Sequence, residues 1–151
     1  MNHRDIAQQT RVENNLLGDL MNGLRAAMSW EGQSEDFSRQ LSTVRFIAQC
    51  FQRHVDRLMA LEEYDGYMDV VTSASPQLAK AVDALRHEHD EFRAKINRLV
   101  NRLERISPLD RAAFTLVCDD LRLLLDKLEE HGRKEARLMQ EALDRDEGGE
   151  G

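Results

Sequence analysis

The sequence predicts an all-α protein folded as an antiparallel up-down-up-down four-helix bundle, and three observations carry that expectation. Apolar residues recur at steps of three and four over long stretches, and strand-like alternation is absent. The composition, with two prolines, eight glycines and 32% charged residues in 151, favours long amphipathic helices over sheet. The connections between the helical stretches are short, which makes consecutive helices antiparallel neighbours. A chain of this length forms one domain, placed at 1–145, with an acidic, glycine-rich tail over 146–151 expected to be mobile.

The first helix is expected from about Ile6 to Met28, with Val12, Leu16, Leu17, Leu20, Leu24 and Met28 facing inward. Ser29 to Asp36 contains Gly32 and polar residues suited to a turn. The second runs from about Phe37 to Val71, with Leu41, Val44, Ala48, Phe51, Val55, Leu58 and Glu62 in register and a kink or fray at Asp65-Gly66. Ser75-Pro76 starts the third as a cap followed by proline at the first helical position, and Ser107-Pro108 starts the fourth in the same way. The third carries Leu78, Val82, Leu85, His89, Phe92, Ile96, Leu99 and Leu103 on one face. The fourth carries Phe114, Val117, Leu121, Leu124 and Leu128, then His131 and Glu135, then Leu138 and Ala142. Leu123 and Leu125 lie beside that stripe and point to a second buried face or a homodimer contact.

A net charge of −7, with lysine and arginine dispersed among acids, argues against nucleic acid and anionic membrane surfaces as partners. No stretch approaches the roughly 18 apolar residues of a membrane span, and Met1 to Thr10 lacks a signal-like apolar run, so the cytoplasm is the default compartment. Cys50 and Cys118 are too few and too far apart for a zinc or redox motif and read as reduced packing thiols.

Function is concentrated in the polar residues that interrupt the apolar stripes. A buried unpaired charge is costly, so His131 and Glu135 one turn apart on a core face require a partner, and a metal ion is one such partner. Counting at about 1.5 Å per residue from the turns brings Glu62, His89, His131 and Glu135 toward one end of the core. Glu13 and Asn14 fall near the same zone of the first helix. Imidazole and carboxylate together suit iron, zinc or manganese better than calcium. His54 lies eight residues before Glu62, about 12 Å along the axis, and is the weakest candidate ligand. His87 falls off the apolar face, and Tyr64 and Tyr67 either roof the site or simply pack.

These residues resemble the hemerythrin-like family of His-His-Glu cation-binding domains. The resemblance is carried by Leu61-Glu62-Glu63 followed by Asp65-Gly66-Tyr67, by Leu85 with Glu88-His89, by His131 with Glu135, and by Leu138-Met139-Gln140-Glu141-Ala142. It implies a four-helix bundle holding iron, with Glu62, His89, His131 and Glu135 as ligands. The sequence departs from the family pattern in the second helix, where Leu58 stands four residues before Glu62 in place of a histidine, or, if His54 is aligned as that histidine, in place of the glutamate. Asn14 or Asn15 stands where a first-helix histidine is expected. The resemblance therefore implies one ion rather than two, with oxygen, nitric oxide or iron handling under stress as the associated roles and no turnover specified. The residues alone leave a second outcome open: a metal-free helical interaction module in which the same four side chains form a buried polar network.

Overall fold

A computed structural model of the chain describes residues 3–30, 36–64 and 66–148. Four long helices, α1 (His3–Met28), α2 (Phe37–Glu63), α4 (Ala79–Glu104) and α5 (Arg111–Gly148), are joined by a short helix α3 (Tyr67–Ala74) and a 3-10 turn over Pro76–Leu78. No strand occurs among the described residues. Helix α1 packs on α2, α2 on α4, α4 on α5 and α5 back on α1, while α3 touches all four. The expected turn at Ser29 to Asp36 falls largely outside the described residues, as do 149–151 of the expected tail; α5 itself continues to Gly148.

The stripes expected on α2, α4 and α5 are all buried, residue for residue. On α1 the expectation needs correction: Val12 and Leu16 are 52% and 47% exposed, Leu17 and Leu20 are half-buried, and the buried positions are Thr10, Glu13, Met21, Leu24 and Met28. With the half-buried Leu17 that set also steps by three and four, but it passes through two polar residues, and Val12 and Leu16 lie to one side of it. Leu125 is fully buried whereas Leu123 is exposed, so the dense leucine run fills one wide core face.

Two boundaries differ from expectation. The second helix ends at Glu63 and restarts at Tyr67, because Gly66 lies so close to the end of α2 that a Cβ there would fall 2.0 Å from the Leu61 carbonyl oxygen. Helix α5 starts at Arg111, not at Pro108: Asp110 supplies the cap, its Oδ1 accepting from the Ala113 N–H at 3.0 Å, while Ser107 Oγ accepts from the Leu109 N–H in the preceding turn. Pro76 does open its helical segment as expected, but Ser75 makes no side-chain cap bond.

At one end of the molecule, side chains of α2 satisfy the carbonyls that other helices leave open. Gln40 donates to the Ala27 and Met28 carbonyls at 3.0 and 3.3 Å, and Arg45 to the Leu103 carbonyl at 3.0 Å. The large apolar core begins there and ends with Met59, Phe92 and Leu128. A second, smaller apolar cluster of Tyr67, Met68, Val71, Leu78, Val82, Leu85, Leu138 and Ala142 closes the other end under α3. Between the two lies a polar layer to which every long helix contributes: Thr10 and Glu13, Glu62, His89, and His131 with Glu135, all buried.

Candidate metal centre

The layer is held in place by its two apolar neighbours. Periodicity carries α1, α4 and α5 from one cluster to the other, and α2 from the large cluster to the layer, so a residue on these stripes points inward whatever its polarity. His89 is fully buried, and His131, Glu135 and Glu62 are each 3% exposed. His89, His131 and Glu135 offer ligand atoms that all lie within 4.8 Å of one another. The two imidazole Nε2 atoms face each other at 3.0 Å; Glu135 Oε1 is 3.1 Å from His131 Nε2, and Glu62 Oε2 is 3.8 Å from His89 Nε2. Phe92 packs edge-on against the His131 ring, with centroids 5.3 Å apart.

Each imidazole is fixed from behind by a carboxylate. His89 Nδ1 is 2.9 Å from Glu63 Oε1, and Glu63 in turn receives both Arg93 nitrogens at 2.9 Å. His131 Nδ1 is 3.0 Å from Glu88 Oε2, whose other oxygen takes Lys134 Nζ at 2.7 Å. Partial burial pushes the Glu63 and Glu88 carboxyls up, but hydrogen bonds from Arg93 and Lys134, and from the histidines, outweigh it and hold both below the ordinary range. Both are ionised acceptors, so each Nδ1 carries the proton and donates. In the neutral form of both rings the Nε2 lone pairs would then point at each other, an arrangement that requires a proton or a cation between them.

Without a cation, the protons settle unequally. Burial holds His89 below its ordinary value. Burial also lowers His131, but the Glu135 and Glu88 carboxylates outweigh it and raise the group overall. Burial, then the hydrogen bond and charge of Glu135, push Glu62 well above the carboxylate range. Glu135 resists the upward push of burial because Glu62, His131 and Tyr67 all bond to it, and it is held down at about 2. Tyr67 donates its hydroxyl to Glu135 Oε2, and burial raises its own pKa so that it stays protonated. At a pH between the ordinary carboxylate and imidazole values, the metal-free centre therefore favours an imidazolium at His131, a carboxylate at Glu135 and a neutral carboxyl at Glu62.

Glu62 Oε2 is buried with no hydrogen-bond partner. An orphaned carboxylate oxygen beside two facing imidazole nitrogens and a second carboxylate fits a divalent transition metal. Four of the five residues expected to form the site, Glu62, His89, His131 and Glu135, are therefore brought together. His54 is not: it lies between α1 and α2, where its Nε2 is 3.0 Å from the Glu13 carbonyl oxygen and so donates to it. Asn14 is half-buried, and its neighbour Glu13 takes the inward position. Tyr67 does roof the site, while Tyr64 is 77% exposed.

Glu63, Glu88, Arg93 and Lys134 carry no signal in the periodicity, since they lie off the apolar stripes. Glu63 and Glu88 are marked in the sequence only by the motifs of the family resemblance, in which Glu63 follows Glu62 and Glu88 precedes His89, although Glu88 serves His131 on the other helix.

The family model described as Hemerythrin HHE cation binding domain matches residues 5–143. No curated protein and no solved structure matches the chain.

Proposed function

The chain belongs to the hemerythrin family of HHE cation-binding domains, and we propose that it holds a single iron or similar divalent ion through Glu62, His89, His131 and Glu135. The observation that carries this reading is the pair of Nε2 atoms facing at 3.0 Å, with both Nδ1 atoms already committed to carboxylates. Two histidines and one carboxylate form a donor set suited to non-haem ferrous iron, with Glu62 as a fourth oxygen donor. The ion would supply Lewis acidity and redox capacity; the chain supplies a buried pocket and two imidazoles of fixed tautomer. Leu58 is buried where the family pattern has a histidine, and it supports one ion over two.

The frame in this reading is an antiparallel up-down-up-down bundle. It is supported by Arg45, early in α2, meeting Leu103 at the end of α4, while Glu63 at the end of α2 meets His89. Arg25, late in α1, likewise meets Asp126 of α5. Family membership extends the proposal to oxygen, nitric oxide or iron handling under stress, with no turnover specified. A cytoplasmic setting is supported by two free cysteines, with burial pushing the Cys118 thiol up to about 11, and no described helix is long and apolar enough to cross a membrane.

The test is elemental analysis of protein purified without chelator or tag metal, beside Glu135→Ala. Iron near one per chain in the parent and none in the variant is the expected result. Two irons per chain would refute the single-ion assignment. No metal after anaerobic incubation with ferrous iron would favour a metal-free interaction module, a reading supported by the charge balance of imidazolium against carboxylate in the same layer.

A further inference from the structure

A cavity of about 100 Å³ opens between α1 and α2, and its wall includes Gln9, Thr10, Glu13, Leu58 and the candidate ligand Glu62. It has room for several waters. Glu13 is 7% exposed, and its Oε2 has no hydrogen-bond partner; the nearest basic atom is His54 Nε2 at 3.7 Å, which is already donating to the Glu13 carbonyl. The other oxygen, Oε1, is held by Arg57 at 3.3 Å, and that guanidinium side chain is 70% exposed. Thr10 donates its hydroxyl to the Ile6 carbonyl, and its oxygen retains the capacity to accept.

Other openings near the site offer a cation less. The larger groove between α4 and α5, about 440 Å³, reaches Glu88 and Lys134, which stand behind the His131 ring and not among the candidate ligands. The pocket of about 60 Å³ under α3 reaches Tyr67 through aliphatic walls of Ile6, Val70, Val71 and Ala142. An ion leaving water needs replacement oxygens, and an oxygen with no existing partner can supply one without first breaking a bond.

Resting on the single-ion reading above, we propose that the α1–α2 cavity is the route by which the cation reaches the centre, with Glu13 as a staging carboxylate that hands it to Glu62. Arg57 is the latch: it neutralises Glu13 when the route is idle and swings into solvent when a cation takes its place. Glu13 acts on the rate of loading and not as a ligand in the final complex.

The experiment is stopped-flow uptake of cobalt(II), followed by its visible absorption, by the metal-free full-length chain. Glu13→Gln should slow loading and release together, on the order of tenfold, with the equilibrium affinity and the final spectrum unchanged. Gln9→Trp, at the exposed mouth of the cavity, should also slow loading without touching Glu13, while Ala84→Trp in the α4–α5 groove should not. Unchanged loading in both Glu13→Gln and Gln9→Trp, or slowing only in Ala84→Trp, would overturn the route. A changed final spectrum or a lost affinity in Glu13→Gln would overturn the staging role and make Glu13 a ligand. A parent protein that takes up no cobalt at all would overturn the metal reading and this proposal with it.

Discussion

Glu62→Gln should make the metal-free protein more stable than the parent by an amount that grows with pH. Glu62 is 3% exposed, one of its oxygens lacks a partner, and it shares the layer with an ionised Glu135. Burial first, then Glu135, keep its proton bound well above the ordinary value of 4.5. The unfolded chain releases that proton near 4.5, so above this pH folding must take a proton up, and stability falls by about 1.4 kcal/mol per pH unit until the folded carboxyl itself ionises. Glutamine copies the size and donor capacity of the neutral carboxyl and does not titrate. The stability difference between variant and parent should therefore rise with that slope from about pH 5 upward. Glu135, Glu63 and Glu88 work in the opposite sense, adding stability above 4.5 that is lost in acid, but each is present in both proteins, and the glutamine amide replaces the neutral carboxyl as donor to Glu135, so their contributions largely cancel in the difference. The same holds for His131, whose contribution is lost as pH rises through its raised folded value, and for His89, which runs the other way. The assay is urea unfolding of chelator-stripped protein at pH 5, 6 and 7. A difference that does not change with pH would refute the assignment of the shared proton to Glu62.

Loading a divalent ion at pH 6 should release about two protons, one from His131 and one from Glu62, and about one in Glu62→Gln; calorimetry in buffers of different ionisation heat counts them, and zero in the parent would contradict the protonation pattern. Glu63→Gln and Glu88→Gln each remove an anchor behind an imidazole, and metal affinity by competition with a chelator should fall about 10–100-fold. Tyr67→Phe deletes a donor to Glu135; it should cost about 1–3 kcal/mol in denaturant unfolding and move acid unfolding to higher pH, because Glu135 loses one of the bonds that hold it down at about 2. Gly66→Ala places a methyl 2.0 Å from the Leu61 carbonyl oxygen and should lower stability by about 1–3 kcal/mol or more, with an unchanged melting temperature as the contrary result.

Most of three helices was legible because the stripes of α2, α4 and α5 are apolar throughout except at Glu62, His89, His131 and Glu135. His131 between Leu128 and Leu138 stands out for that reason, as does His89 between Leu85 and Phe92. Helix α1 lacks that contrast. Its buried turn holds Thr10 and Glu13, so hydrophobic periodicity slides to Val12 and Leu16, which the structure leaves half in solvent. The break after Glu63 was marked by Gly66, but its cause, close approach to the Leu61 carbonyl, depends on the chain path. Asp110 outcompetes Ser107 as the cap of α5 because its carboxylate reaches the Ala113 N–H. The crosswise pairing of Glu88 with His131 depends on the register between α4 and α5, which sequence spacing on either helix leaves undetermined.

The same register explains how a buried ionic layer coexists with a well-packed core. Charge alternates inward from each side: Arg93 to Glu63 to His89, and Lys134 to Glu88 to His131. Each histidine therefore meets the centre with its tautomer already set, and each outer carboxylate is neutralised by a cation nearer solvent. Below the raised folded values of His131 and Glu62, and above that of Glu135, the metal-free centre is neutral, with His131 as imidazolium, Glu135 as carboxylate, and Glu62 and His89 uncharged. A divalent ion that displaces the protons of His131 and Glu62 leaves the charge of the layer unchanged. The fold then faces nearly the same electrostatic cost in both states, and the competition at the centre is between one ion and two protons. Below the folded values of both groups, affinity should thus fall about 100-fold for each pH unit, and a slope near tenfold would mean that only one of the two protons occupies the metal's place.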